Sequence, residues 1–367
     1  MSFRRTRAMA RKEFQHILRD PRSLIMALAV PLMMLVLFGF ALTLDVDRIP
    51  ALVYDADKSP QSRALIQEFI GSRFFEIQGY TNGYAPIERE IDRGNILIGI
   101  AIPVGFASDV IGREKTEVQI LLDGSDSNTA AIALGYAESV VQTHAQTYSG
   151  WQPHIDTRLR VWYNSELESK NYVVPGLTAV ILMIIAALLT SLTVAREWEM
   201  GTMEQLLSTP LRPAELVLGK MLAYFALGIT DALIAIGVGV FVFQVPLRGS
   251  VPLLLFATCV FLVGALFWGI LLSAIARSQL VAFQMGILTS FLPAFLLSGF
   301  IYAIENMPPV MQAITYVVPA RYFVTILKGI FLKGVGWEVL WPSILLLMAY
   351  GIAVFLLATR KVGQKVA

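Results

Sequence analysis

Cysteine is nearly absent from this chain: among 367 residues only Cys259 carries a thiol. That excludes a disulfide framework and a cysteine-based metal site. Charge is scarce too, at 15% of residues against 56% apolar ones. A soluble globular domain carries about a quarter charged residues, so the chain is too apolar for that class. There are three histidines; His144 and His154 stand without clustered partners and are expected to be solvated. The phosphate-cradling G-x-x-x-x-G-K-[ST] loop is missing. Gly219-Lys220 lacks the upstream glycine and is followed by Met221, so the chain has no ATP site of its own. No Ser/His/Asp set or paired carboxylates stand out from the scattered acids, which argues against a hydrolase. The stretch Asp123-Gly-Ser-Asp126-Ser-Asn128 lacks the closing Glu of a calcium loop. It reads as a strand end, a turn and a helix cap.

What the chain does have is long apolar runs and an uneven charge. Residues 45–172 hold 11 Lys/Arg against 18 Asp/Glu, whereas the remainder holds 18 against nine. A basic apolar part carrying an acidic insert is the layout of a membrane protein with one soluble domain, and it is no nucleic-acid pattern. Six runs match the ~20 residues that cross hydrocarbon. They are residues 23–44, 173–195, 222–243, 251–275, 280–300 and 340–359. The first is longer than a signal-peptide core and has no obvious cleavage site. It follows a cationic arm, residues 1–22, in which Phe3, Phe14, Ile17 and Leu18 suit a helix lying on a membrane.

Six spans put both termini on one side. That side carries 14 Lys/Arg in the arm, the 196–220 loop, Arg277 and the 360–367 tail. The short segments opposite carry four: Arg248, Arg321, Lys328 and Lys333. The positive-inside rule then makes both termini cytoplasmic and the 45–172 insert extracytoplasmic. Within the insert, strands are expected over Ile49–Asp55, Phe74–Tyr80, Ile96–Ile102, Val118–Asp123 and Thr157–Tyr163. Helices are expected over Ser59–Ile70, Pro86–Arg93, Phe106–Ile111 and Asn128–Tyr148. This alternation indicates an α/β domain.

Three further features invite function. Arg196–Lys220 is a polar stretch between two spans. It reads as a short helix, a turn limited by Thr209-Pro210 and a second helix opened near Pro213. It is either a solvated connector or a docking surface. Asp231 is the one acid deep in a span, ~16 Å beyond Lys220. Such a residue faces a pathway, a dimer interface or a helix-packing partner. Residues 301–339 hold two amphipathic runs, Met307–Val318 and Tyr322–Phe331, separated by Pro319. Each is too short to span, which suggests a re-entrant or interfacial pair on the outer side.

The polar stretch also carries a resemblance. Glu197, Gly201, Thr202, Glu204, Gln205, Leu206, Leu207, Thr209 and Pro210 resemble the E-x-x-x-G-T-x-E-x-L-x-x-T-P stretch of the ABC-2 type permeases, the membrane subunits of one class of ATP-binding-cassette exporters. Lys12–Arg22 resembles the amphipathic start of the same proteins, and Pro319, Arg321 and Tyr322 resemble their outer helix pair. The resemblance implies a polytopic α-helical membrane protein with six transmembrane helices and an extracytoplasmic (periplasmic) α/β domain inserted between helices 1 and 2. It implies that the quoted loop residues are the coupling helix that meets a separate ABC ATPase subunit, in which ATP and magnesium would be bound; no cofactor is expected in this chain. It implies a second permease copy or paralogue as the other half of the pathway, contact with membrane lipid, and residence in a bacterial inner membrane. The insert further resembles drug-efflux permeases that work with a periplasmic adaptor protein and an outer-membrane channel. The substrate stays open. A membrane-anchored sensor or scaffold without transport remains the alternative, although four further spans exceed what an anchor needs.

Overall fold

The computed structural model describes residues 2–41, 48–112, 114–125, 127–149, 163, 168–276 and 278–364. The chain divides into two units, residues 44–160 and a larger unit made of 1–43 with 161–367. The larger unit begins with α1 (Phe3–Arg19) and α2 (Pro21–Ala41). α1 is amphipathic: Met9 and Glu13 are buried while Phe3 and Leu18 are exposed. α2 covers the expected first span, residues 23–44, as far as Ala41. Within the described residues its apolar stretch is Ala27–Ala41, and residues 42–47 lie outside the described set.

The smaller unit holds β1 (Ile49–Asp55), α3 (Pro60–Gly71), β2 (Phe75–Thr81), α4 (Tyr84–Asp92), β3 (Ile98–Ile102), α5 (Phe106–Gly112), β4 (Gln119–Leu122) and α6 (Ser127–Ser149). The sheet order is β2-β1-β3-β4. β1 pairs in parallel with β2 and with β3, and β4 runs antiparallel to β3. All of β3 is buried, as an apolar Ile-Gly-Ile-Ala-Ile strand between neighbours should be. Gly99 lets α4 lie on this strand, because a Cβ there would sit 2.2 Å from Ile87 Cγ2. Ser59 caps α3, exchanging backbone-to-hydroxyl bonds of 3.0 Å with Ser62, and Pro60 takes the first turn. Asp57 closes the crevice beside β1: its carboxylate accepts from Gly105 N at 2.9 Å and Ala107 N at 3.0 Å. The Ser59 hydroxyl and these amides hold its acidity above that of an ordinary aspartate, lowering its pKa.

Two expectations for this unit change. His144 is not solvated: it is 4% exposed, and its Nδ1 lies 2.8 Å from Glu68 Oε1, because α6 folds over α3. The strand expected over 157–163 lies outside the described residues except for Tyr163, as do His154 and Asp126. Asp123 makes a turn, accepting from Ser125 N at 2.9 Å.

The larger unit continues with α7 (Ser169–Glu199), α8 (Thr202–Leu207), α9 (Pro213–Phe241), α10 (Val251–Ile275), α11 (Gln279–Gly286), α12 (Leu292–Leu296), α13 (Pro309–Thr315), α14 (Pro319–Lys328) and α15 (Trp337–Gln364). α7, α9, α10, the α11–α12 run and α15 are each long and apolar enough to cross a membrane. That makes five candidate spans among the described residues, or six if the bent pair of α13 with residues 319–333 counts as one. The expected 280–300 span is interrupted by a π-helical turn at Ile287–Phe291 and stops at Leu296. The 307–318 run is helical only over Pro309–Thr315, and the pair bends by 84° at the break before Pro319.

α7 is the spine of this unit, with a core window 83% buried. It meets α10 closely. Thr190 Oγ1 donates to Leu266 O at 3.0 Å, and Ser273 Oγ accepts from Val194 N and Ala195 N at 2.9 Å each. Gly269 permits this approach: a Cβ there would stand 2.0 Å from Thr190 Oγ1 and 2.4 Å from Ala187 O. Because the second obstacle is backbone, Gly269→Ala is expected to cost ~1–3 kcal/mol. A lower apparent melting temperature of the purified chain is the readout, and an unchanged one would refute this account of the crossing.

Candidate functional site

The polar stretch is built onto helix ends rather than strung between them. Arg196, Glu197 and Glu199 belong to the last turn of α7, so Glu197 is anchored on the spine and not on the connector. Gly201 turns the chain with φ +71°. Space alone would admit a side chain there, so the backbone angle is what asks for glycine. Thr202 then donates through its hydroxyl to the Glu197 carboxylate and to Glu197 O, the latter at 3.3 Å. That bond ties the first residue of α8 back to α7.

α8 has an inner and an outer side. Met203 is 1% exposed and Leu206 packs on the main core. Glu204 and Gln205 are exposed. The side chain of Leu207 lies outside the described set. Thr209 stops the helix, its hydroxyl donating to Leu206 O at 2.6 Å. Pro210 presents its carbonyl to the Arg5 guanidinium. Pro213 opens α9, and Glu215 accepts from Arg212 N at 3.1 Å and from Ser2 N at 2.6 Å.

A buried charge network lies behind this segment. Lys220 is 1% exposed, although it is a lysine. Its Nζ lies 2.9 Å from Glu13 Oε1, 3.5 Å from Glu197 Oε1 and 3.4 Å from Thr193 O. Lys12 reaches Glu197 Oε1 at 2.9 Å from the other side. Two cations and two carboxylates therefore satisfy one another, which a buried charge requires. α1 can come close enough because α9 carries Gly219, where a Cβ would stand 2.6 Å from Met9 Cβ. Glu199 braces the same end of the unit, accepting from Gln279 Nε2 at 2.7 Å.

Sequence reasoning passed over Glu13 and did not give Lys220 this role. The one usable signal was an acid, Glu13, set among the seven Lys/Arg of the arm.

The other two sets of candidate residues lie elsewhere in the unit. Asp231 is 2% exposed inside this single chain, and neither carboxylate oxygen has a hydrogen-bond partner among the described residues. Its side chain is enclosed by this chain's own packing. Pro319, Arg321 and Tyr322 hold the 84° bend. Pro319 takes the first turn of α14, where a missing N–H costs little. Arg321 lies 4.0 Å over the Tyr316 ring and donates to Thr315 Oγ1, and Tyr322 Oη donates to Tyr316 O at 2.8 Å. Lys328 adds a strut, 2.9 Å from Gly299 O and 3.5 Å over the Tyr172 ring.

Comparison with known proteins gives a consistent result. A sequence profile described as "ABC-2 family transporter protein" matches residues 21–360. The chain is 38% identical to the probable multidrug ABC transporter permease YbhS of Escherichia coli (strain K12), over 95% of this chain and 94% of that one. It is 32% identical to the probable multidrug ABC transporter permease YbhR of the same organism, over 98% of this chain and 100% of the relative. The inner membrane transport permease YhhJ, again from that strain, is 28% identical over 84% of this chain and 83% of its own length.

Proposed function

Since the chain belongs to the ABC-2 family of transporters, we propose that it is one permease half of an exporter in a bacterial inner membrane. A second copy or a paralogue supplies the other half, and a separate ABC ATPase subunit drives both. α2 is the first of six spans, followed by α7, α9, α10, the α11–α12 run and α15, and the bent α13–α14 pair is a re-entrant element on the outer side. Both termini and α8 face the cytoplasm, and residues 44–160 form the extracytoplasmic domain. The cargo is a drug-like or otherwise hydrophobic or amphipathic compound, in keeping with the names of YbhS and YbhR. A periplasmic adaptor protein and an outer-membrane channel complete the route.

The observation that carries this reading is the build of α8. Glu204 and Gln205 are exposed, while Met203, Thr202 and the turn behind them are fastened to α7, α9 and α1. A helix pinned on one side and open on the other transmits a push to what it is pinned to, here α7 and α9. Such rigid elements carry coupling between two states. Glu204, Gln205, Leu206 and Leu207 are accordingly the residues that meet the ATPase, and Glu197, Gly201, Thr202, Thr209 and Pro210 hold them in place.

The test is recovery of the tagged chain from native membranes in mild detergent, with mass spectrometry of what accompanies it. A stoichiometric ATPase is the expected result, and the same experiment reports whether the second permease is a copy or a paralogue. Failure to recover an ATPase under several gentle conditions would overturn the driven-exporter reading.

A further inference from the structure

Beside the charge network, α1, α2, α7 and α9 enclose a cleft of about 500 Å³. Nothing in the coupling reading uses it. Its volume falls in the ~300–1,000 Å³ range of small-molecule sites. The two ends of the cleft differ in chemistry. Leu24, Pro31, Leu188, Leu189 and Leu227 line one end, and the cations Lys12, Arg196 and Lys220 with His16, Glu13, Asp20 and Glu197 line the other. Along α7 the wall changes from leucine to arginine within ~12 Å of helix.

The cations at the polar end are not equivalent. Lys12 and Lys220 are engaged by Glu13 and Glu197. Arg196 instead donates to His16 Nε2 at 3.1 Å and has no carboxylate at ion-pair distance among the described residues. Arg196 is also exposed. It therefore brings a guanidinium with no ion-pair partner among the described residues to the mouth of the cleft, and its planar fork suits phosphate. Free phosphate would satisfy that mouth and leave the leucine walls bare. An uncharged hydrocarbon would do the reverse.

We propose that this cleft is a binding site for a glycerophospholipid of the leaflet beside α1. The phosphate lies on Arg196 next to His16, and one acyl chain runs along Leu188, Leu189 and Leu227 towards Pro31. Glu197 and Thr202 also line the cleft, so the lipid bears on the seating of α8. That consequence rests on the reading of α8 given above; the binding itself does not.

The test is photolabelling of the full chain, purified with the subunits it retains. The chain is reconstituted in phosphatidylethanolamine vesicles containing a trace of the same lipid with a diazirine on its acyl chain. Label is expected in the α2 segment 24–31 and the α7 segment 185–196, well above that on the exposed 352–357 face of α15. Arg196→Gln and Leu189→Trp are each expected to reduce it ~tenfold, the scale of one charge-assisted contact. Glu204→Lys, outside the cleft, is expected to leave the label unchanged even if it abolishes ATPase recovery. Label spread evenly over the lipid-facing helices would overturn the site, as would label unchanged by both cleft substitutions.

Discussion

Replacing Lys220 with alanine is expected to cost ~3–5 kcal/mol, because breaking a buried ion pair leaves an uncompensated buried charge. Lys220 is the ion-pair partner of Glu13 at 2.9 Å, and the Glu13 side chain is only 6% exposed. Lys12 offsets only part of this loss: it stands at ion-pair distance from Glu13, 3.8 Å, but its closer partner is Glu197 at 2.9 Å. The loss falls on the docking of α1, since the pair joins residues 207 positions apart. The measurement is the fraction of chain that leaves detergent extraction as a single sharp species, together with its apparent melting temperature. A companion change, Lys220→Met with Glu13→Leu, is expected to recover much of the loss, because apolar residues of similar volume replace buried ion pairs at little cost. If the single substitution extracted and melted like the parent chain, the network would have no structural weight.

Glu204→Lys is the second, and here the effect is functional. The side chain is exposed, and an exposed substitution away from packing shifts stability by only about 0.5 kcal/mol. Membrane insertion and melting should therefore match the parent. Reversing a charge that meets a complementary partner costs several kcal/mol, by contrast, and each ~1.4 kcal/mol is a factor of ten. ATPase recovery and export should each fall ~tenfold or more. Normal export would remove Glu204 from the coupling contact and would leave α8 a solvated connector.

The chain wrote some of its structure locally. α10 occupies Val251–Ile275, the bounds of its apolar run, because a Ser250-Val251-Pro252 start and an uninterrupted apolar stretch leave no other choice. β1 occupies Ile49–Asp55 and α3 begins at Pro60 behind Ser59, since a cap and a first-turn proline are local signals. The short helix, the Pro210 stop and the Pro213 restart were legible for the same reason. Composition alone carried the membrane class, and the E-x-x-x-G-T-x-E-x-L-x-x-T-P spacing carried the family.

Other features were decided only by the fold. α7 runs on to Glu199, past the end of its apolar run, because Lys12 of α1 and Lys220 of α9 pair with Glu197 in its charged last turn. His144 reads as an isolated polar residue until α6 lays it on Glu68. The break at Ile287–Phe291 has no proline or glycine inside it to announce it. Asp231 lies within the chain's own packing, where a one-dimensional pattern cannot tell inward from outward. The sequence by itself determined that this is a multi-pass membrane protein and which family it belongs to, because apolar run length and turn chemistry act over neighbouring residues. Tertiary structure alone decided which charges are buried together and what they hold in place, because Glu13 and Lys220 meet only when helices far apart in the chain pack side by side.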